Sequence, residues 1–228
     1  MSEIIKLEKL EEVYTMFGLS RNQVLEKFQL AGREDYARFY TLPIDQHSKY
    51  GGKNGLYCYY LYFAIASLVL KNVKNILEIG TNKGKSANLL ARLFPEAIVY
   101  TVDINDVEVK FKENIKRPNI KFIKSNSFFL PSLDLPKFFE LIWSDGALFY
   151  PQVAGDIIFA YNRLSRGGFL IKGCFGPFLY KDMRITDVGR TIEWMGNIIK
   201  EKIFLFPQYT DAKQNWARVL NIAFLKKE

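Results

Sequence analysis

Residues Ile76–Ala91, ILEIGTNKGKSANLLA, constrain this chain more than any other stretch. A hydrophobic run enters a turn bounded by Gly80 and Gly84, and a helical pattern begins at Lys85-Ser86. Strand, glycine turn and helix in that order form the first half of a βαβ unit, whose next strand lies parallel to the first. Gly80 lets the backbone turn sharply and approach a ligand. The helix N-terminus that follows offers unpaired N–H groups to an anion.

The rhythm continues downstream. Lys74–Ile79, Ile98–Val102, Ile120–Ile123, Phe139–Trp143 and Gly168–Ile171 are short apolar runs. Lys85–Leu93, Asp106–Lys116 and Gln152–Leu164 between them carry helical patterns. Alternation of this kind predicts a parallel sheet covered on both faces. The tail differs: a helix over Thr186–Lys200 is followed by Ile203–Phe206 and Arg218–Leu225, two runs without a helix between them, which predicts an antiparallel pair. Upstream, residues 1–50 read as mostly helical. Leu7, Leu10, Val13, Tyr14 and Phe17 share one helical face, Ser20 can cap a helix over Arg21–Leu30, Arg33–Gly52 reads as a loop, and Gly55–Lys71 reads as a buried helix. The expected fold is α/β: a doubly wound, mainly parallel seven-stranded sheet with a C-terminal antiparallel hairpin and an N-terminal helical cap. Residues 1–53 form the cap or lid, and 54–228 the nucleotide-binding domain.

Three ligands compete for the glycine turn. GTNKGKS approximates a phosphate loop, but only three residues separate Gly80 from Gly84, and Ile79 stands where a glycine is required. Leu141–Asp145 mimics a magnesium-binding strand end, so a P-loop-like nucleotide-binding protein stays open. The dinucleotide fingerprint fails, because Asn82 occupies its second glycine. The third ligand is S-adenosylmethionine. Glu78, Gly80 and Gly84 stand at a strand-to-helix turn, and Asp103 ends the next strand, where its carboxylate can accept both ribose hydroxyls.

Ile76–Gly168 resembles the class I S-adenosylmethionine-dependent methyltransferases, most closely a small-molecule branch whose first motif reads E-I-G-T-x-x-G-x-S. IKFIKSNS (Ile120–Ser127) matches the third strand and the polar turn that contacts adenine in that family. FELIWSDGALFYPQVAGD (Phe139–Asp156) matches its apolar strand, Asp-Gly, Tyr and a helix carrying Asp, and LSRGG (Leu164–Gly168) matches the turn into the fifth strand. The resemblance implies a cofactor set of Glu78, Gly80, Thr81, Asn82, Gly84, Ser86, Asp103, Ile104, Asn126, Ser127, Asp145, Gly146 and Tyr150. Two departures bear on chemistry. Leu148 stands where the family usually has His, and Lys172-Gly173-Cys174 stands where metal-dependent relatives place acidic and amide ligands. No metal site is expected, since a divalent cation wants several oxygen ligands. Asp145 and Lys172, both at strand ends, are the candidate catalytic groups.

The 49% hydrophobic and 25% charged residues are ordinary globular usage. The longest apolar stretch, Tyr57–Leu70, is too short to read as a membrane span. MSEIIKLEKLEE shows no signal-peptide pattern. A single histidine, His47, and two cysteines, Cys58 and Cys174, without a CxxC pair argue against a Cys/His metal site and for a reducing, cytoplasmic compartment. The formal net charge of +8 keeps anionic partners open, an RNA methyl acceptor included. Against RNA, no N-P-P-Y-type tetrapeptide follows the fourth strand. A small-molecule acceptor is expected, no membrane partner, and a homodimer stays open. Acceptor choice is assigned to the loop-like segments Arg33–Lys53, Gly173–Arg190 and Pro207–Ala217.

Overall fold

A computed structural model describes residues 4–7, 9–41, 60–175, 187–208 and 220–227. Among the described residues, eight strands form one sheet: β1 (Ile4–Lys6), β2 (Asn75–Ile79), β3 (Ile98–Asp103), β4 (Ile120–Lys124), β5 (Phe139–Ser144), β6 (Leu164–Phe175), β7 (Ile203–Gln208) and β8 (Leu220–Lys226). Their order is β1-β7-β8-β6-β5-β2-β3-β4. Every pairing is parallel except β6 with β8 and β7 with β8, so β8 alone runs against the rest. The chain winds outward from β2 through β3 to β4, then returns to place β5 on the other side of β2. Strand order reverses between β2 and β5, the place where open α/β sheets bind ligands.

The expectation of seven strands is corrected to eight. Ile4–Lys6 falls in the region expected to be mostly helical, yet it pairs in parallel with Ile203–Leu205. Three residues carry no period of their own, and a partner some two hundred positions away decides their state. Three further boundaries move. Glu34–Thr41, inside the expected loop, is a helix whose Tyr36, Ala37, Phe39 and Tyr40 are buried. The expected helix Asp106–Lys116 is a 3-10 segment, Val109–Ile115, with no buried residue. The fifth parallel strand begins at Leu164 because the LSRGG turn is absorbed as a register shift opposite Phe139–Leu141, with Gly167 at φ +74°.

Helices cover both faces. On one lie α1 (Leu10–Met16), α2 (Arg21–Leu30), α3 (Glu34–Thr41), α4 (Tyr60–Val69) and α5 (Lys85–Leu93). Ser20 caps α2 through a reciprocal bond pair: its hydroxyl accepts from Gln23 N–H at 3.3 Å, and Gln23 Oε1 accepts from Ser20 N–H at 2.8 Å. Val13, Phe28, Tyr36, Tyr60 and Phe63 join Leu89, Leu90, Trp143, Phe169 and Ile171 in one cluster. The described part of residues 1–53 therefore shares the core of the sheet domain. The opposite face is covered by α6 (Gln152–Arg163) and α7 (Asp187–Ile198), whose Val153, Ile157, Val188 and Ile192 pack on Leu77, Ile79, Ile142 and Leu170. No helix of the described residues is long and apolar enough to cross a membrane.

Candidate functional site

Parallel strands present all their C-terminal ends at one edge, and there β2 and β5 come together. Gly80 N–H donates to Val102 O at 2.8 Å, and Asp145 N–H donates to Ile79 O at 2.8 Å. The first bond ties the Gly80 turn to β3, and the second holds the β5 turn against the end of β2. Gly80 has φ +101°, and a Cβ there would lie 2.6 Å from Asp145 O and 2.9 Å from Gly146 N. Only glycine fits. A cavity of about 520 Å³ opens at this junction. It is lined by nine of the expected residues: Gly80, Asn82, Asp103, Ile104, Asn126, Ser127, Asp145, Gly146 and Tyr150. Asp103 is set by backbone donors. Its Oδ2 accepts from Asn82 N–H at 2.8 Å and its Oδ1 from Asn105 N–H at 2.9 Å. Asn82 adopts φ +45° to deliver its bond.

Glu78, Thr81, Gly84 and Ser86 are not in the lining. Glu78 is fully buried. Its Oε2 accepts from the Thr101 hydroxyl, which lies 2.6 Å from that of Thr81. Burial pushes the Glu78 carboxyl up to about 8; the Ser86 and Thr101 hydroxyls oppose that shift, and the nearby charges of Asp145 and Asp103 add to it. Glu78 is accordingly mostly neutral at pH 7. Gly84 has φ +68°, and a Cβ there would stand 2.7 Å from Ile115 Cγ2 and 3.2 Å from Asn114 Cβ. Asn114 Nδ2 also donates to Lys83 O at 2.8 Å. Protein fills the space beside Gly84 that a phosphate-loop reading reserves for ligand.

The two candidate catalytic groups part company. Asp145 lines the cavity, and its Oδ1 would lie 2.6 Å from a Cβ on Gly173. Lys172 is 1% exposed and outside the lining. Strand alternation explains this: Leu170 packs against α6, so Lys172, two residues on, points to the same covered face. The expectation that Lys172 meets an acceptor is corrected on that ground. His47 lies outside the described residues, as does the side chain of Cys174. Among the described residues no group of three His, Cys, Asp or Glu side chains is placed to hold a metal.

In the wall after Asp145, sequence reasoning finds Gly146 and Tyr150, notes Leu148 only as a departure from the family, and misses Phe149 and Gln152. Leu148, Phe149 and Gln152 line the cavity. Gln152 Nε2 donates to Asn126 Oδ1 at 2.8 Å and to the Ser127 hydroxyl, joining α6 to the β4 turn. Nothing local marks Gln152, since its role follows from where α6 starts relative to β4. Tyr150 N–H donates to Asp187 Oδ2 at 2.9 Å, which fixes the same wall to α7.

Residues 77–172 match a protein family described as a methyltransferase domain. No curated protein matches the chain. Solved structures share the fold at low identity. An O-methyltransferase of tomaymycin synthesis from Streptomyces achromogenes, crystallised with S-adenosylmethionine, is 17% identical, with a TM-score of 0.57 and 97% of each chain covered. An O-methyltransferase from Bacillus cereus, crystallised with S-adenosylhomocysteine, is 16% identical, with a TM-score of 0.56, 95% of this chain and 96% of that chain covered. An rRNA methylase from Streptococcus thermophilus is 14% identical, with a TM-score of 0.54, 73% of this chain and 94% of that chain covered.

Proposed function

We propose that this chain, an S-adenosylmethionine-dependent methyltransferase of the class I fold, methylates a small-molecule acceptor at oxygen or nitrogen without a metal ion. One observation carries the reading. The described cavity lining holds two carboxylates, Asp103 and Asp145, and no lysine or arginine, in a chain of net charge +8. One charge pair at 4 Å is worth roughly 4 kcal/mol at an effective dielectric near 20. Such a cavity favours a cationic ligand, such as a sulfonium, over a triphosphate. The N-terminal helices support the same reading, since the match to the Streptomyces achromogenes O-methyltransferase runs over 97% of this chain.

The residues fit the cofactor. Gly80 and Asn82 would admit it along bare backbone, Asp103 would take the ribose hydroxyls, and Ile104, Asn126 and Ser127 would border the adenine. Asp145, Gly146 and Tyr150 hold the remainder. Glu78, Thr81, Gly84 and Ser86 keep the loop in shape from beneath. When bound, S-adenosylmethionine supplies a methyl group on a sulfonium, a carbon already activated for displacement. The chain's part would be to align an acceptor with that carbon and to exclude water. Asp145, the titratable side chain nearest β6 in the lining, orients the acceptor or takes its proton. Acceptor choice is assigned to Arg33–Lys53, Gly173–Arg190 and Pro207–Ala217, apart from the helix Glu34–Thr41, whose Tyr36, Ala37, Phe39 and Tyr40 are buried. Residues 10–41 belong to the core, so deleting 1–50, which removes the buried Val13, Phe28 and Tyr36, should give no folded protein.

Calorimetry with S-adenosylhomocysteine and with ATP·Mg tests the cofactor, and filter binding of random RNA at two salt levels tests the acceptor class. Binding of the first ligand alone, with no steep salt-dependent RNA retention, is expected. ATP·Mg binding with none of S-adenosylhomocysteine would overturn the cofactor reading, and tight salt-sensitive RNA binding the small-molecule one. Methyl transfer should survive EDTA. Collapse with chelator and recovery with magnesium would show a metal role for segments outside the described residues.

A further inference from the structure

Lys83 sits between two residues of left-handed backbone: Asn82 has φ +45° and Gly84 has φ +68°. Such a conformation is costly for a residue with a side chain, so Asn82 must be held in it by its surroundings. One bond does so from the cavity side, where Asn82 N–H donates to Asp103 Oδ2 at 2.8 Å. A second comes from the opposite side, where Asn114 Nδ2 donates to the Lys83 carbonyl at 2.8 Å. Asn114 is anchored in turn. Asn88, one turn beyond Gly84 on α5, donates from Nδ2 to Asn114 O at 3.0 Å, and Arg92 Nε donates to Asn88 Oδ1 at 2.9 Å. The Val109–Ile115 segment that carries Asn114 has no buried residue, so hydrogen bonds contribute much of its placement. Asn114 does not line the cavity. What it can affect is the Asp103 carboxylate. A carboxylate offers about four lone-pair sites. The N–H groups of Asn82 and Asn105 take one on each oxygen, which leaves each oxygen a site for a ribose hydroxyl. That aim is lost if the Asn82 N–H turns away.

We propose that Asn114 is a positioning residue for the cofactor: its amide holds the Lys83 carbonyl, keeps Asn82 in its left-handed conformation, and so keeps the Asn82 N–H on the carboxylate that meets the ribose. Asn114 thereby acts on the site through Asp103. The proposal rests on reading the cavity as the S-adenosylmethionine site.

The test is calorimetry with S-adenosylhomocysteine on the full chain, with thermal unfolding and circular dichroism alongside. Asn114→Ala removes the amide. Asn114→Asp keeps the size but sets an acceptor against the Lys83 carbonyl. Each folded variant should bind about fivefold or more weakly than wild type, the worth of one hydrogen bond. The same changes are then made in Asp103→Ala. There they should cost less than about twofold, because the carboxylate through which Asn114 acts is already gone. A part played only in folding would lower the melting temperature and leave the affinity of the folded protein alone. A part played elsewhere in the cavity would cost the same with and without Asp103. Either result overturns the proposal. So does failure of both single variants to fold, which assigns Asn114 to stability. If the wild type itself binds no S-adenosylhomocysteine, the reading of the cavity falls and the proposal with it. Wild-type binding with unchanged single variants removes the proposal alone.

Discussion

The loop between β2 and α5 has two sides, and they do different work. Gly80, Asn82 and the Asp103 carboxylate that Asn82 holds face the cavity. Glu78, Thr81, Gly84 and Ser86 face protein. Both sides belong to one sequence motif, and both glycines adopt positive φ. What separates them is what stands opposite. Gly80 meets the backbone of Asp145-Gly146, which has nowhere to move, whereas Gly84 meets the end of the Ile115 side chain. A motif match gathers residues that touch a ligand together with residues that shape the loop. Side-chain direction sorts them.

Substitutions on the two sides should break differently. The largest effect is expected from Gly80→Val. Its Cβ collides with a carbonyl at 2.6 Å at a φ of +101°, so a loss of roughly 3 kcal/mol or more in stability and no measurable S-adenosylhomocysteine binding should follow. Asp103→Ala comes next. It should weaken binding by about 1.5–3 kcal/mol, the worth of charged hydrogen bonds, with the fold retained by circular dichroism. Affinity unchanged by calorimetry would remove Asp103 from the cofactor. Gly84→Ala should show the converse pattern. The left-handed backbone costs an alanine about 1–2 kcal/mol of stability, read by urea unfolding, while the folded protein binds within about threefold of wild type. A selective loss of affinity at Gly84 would erase the distinction between the two sides.

The same distinction explains how much could be read from sequence. The β2 strand, the glycine turn and Asp103 are legible because their signals are local: an apolar run, two glycines and an acid at a strand end. Ser20 is legible for the same reason, since its capping partner Gln23 is three residues away. Ile4–Lys6 is not, because its state depends on Ile203–Leu205. Gln152 and the covered position of Lys172 are not, because strand order and face decide them. Glu78 lies between these cases. Its presence is legible, but its burial places it in the shape of the loop and not in the ligand's path.

The smallest effect on binding, and the finest test of the inward side, is Glu78→Gln. The Glu78 carboxyl is raised by burial from the ordinary carboxylate range to about 8, with Asp145 and Asp103 adding to the shift. Between roughly pH 4.5 and 8 the native protein therefore keeps a proton that the unfolded chain has lost. Stability contributed by this group is complete below the unfolded value, falls as pH rises through that window, and levels off above about 8. Glutamine imitates the protonated acid and does not titrate. Other buried acids, Asp156 among them, also tilt the wild-type curve, so the informative quantity is the difference between the two proteins. Melting temperatures should nearly coincide at pH 5, and by pH 9 the variant should be the more stable by several degrees. Its affinity for S-adenosylhomocysteine at pH 7 should stay within about threefold, because a neutral side chain replaces one that is already mostly neutral. Parallel melting curves from pH 5 to 9 would mean that Glu78 is ionised in the folded protein, and a large loss of affinity at pH 7 would move it to the outward side of the loop.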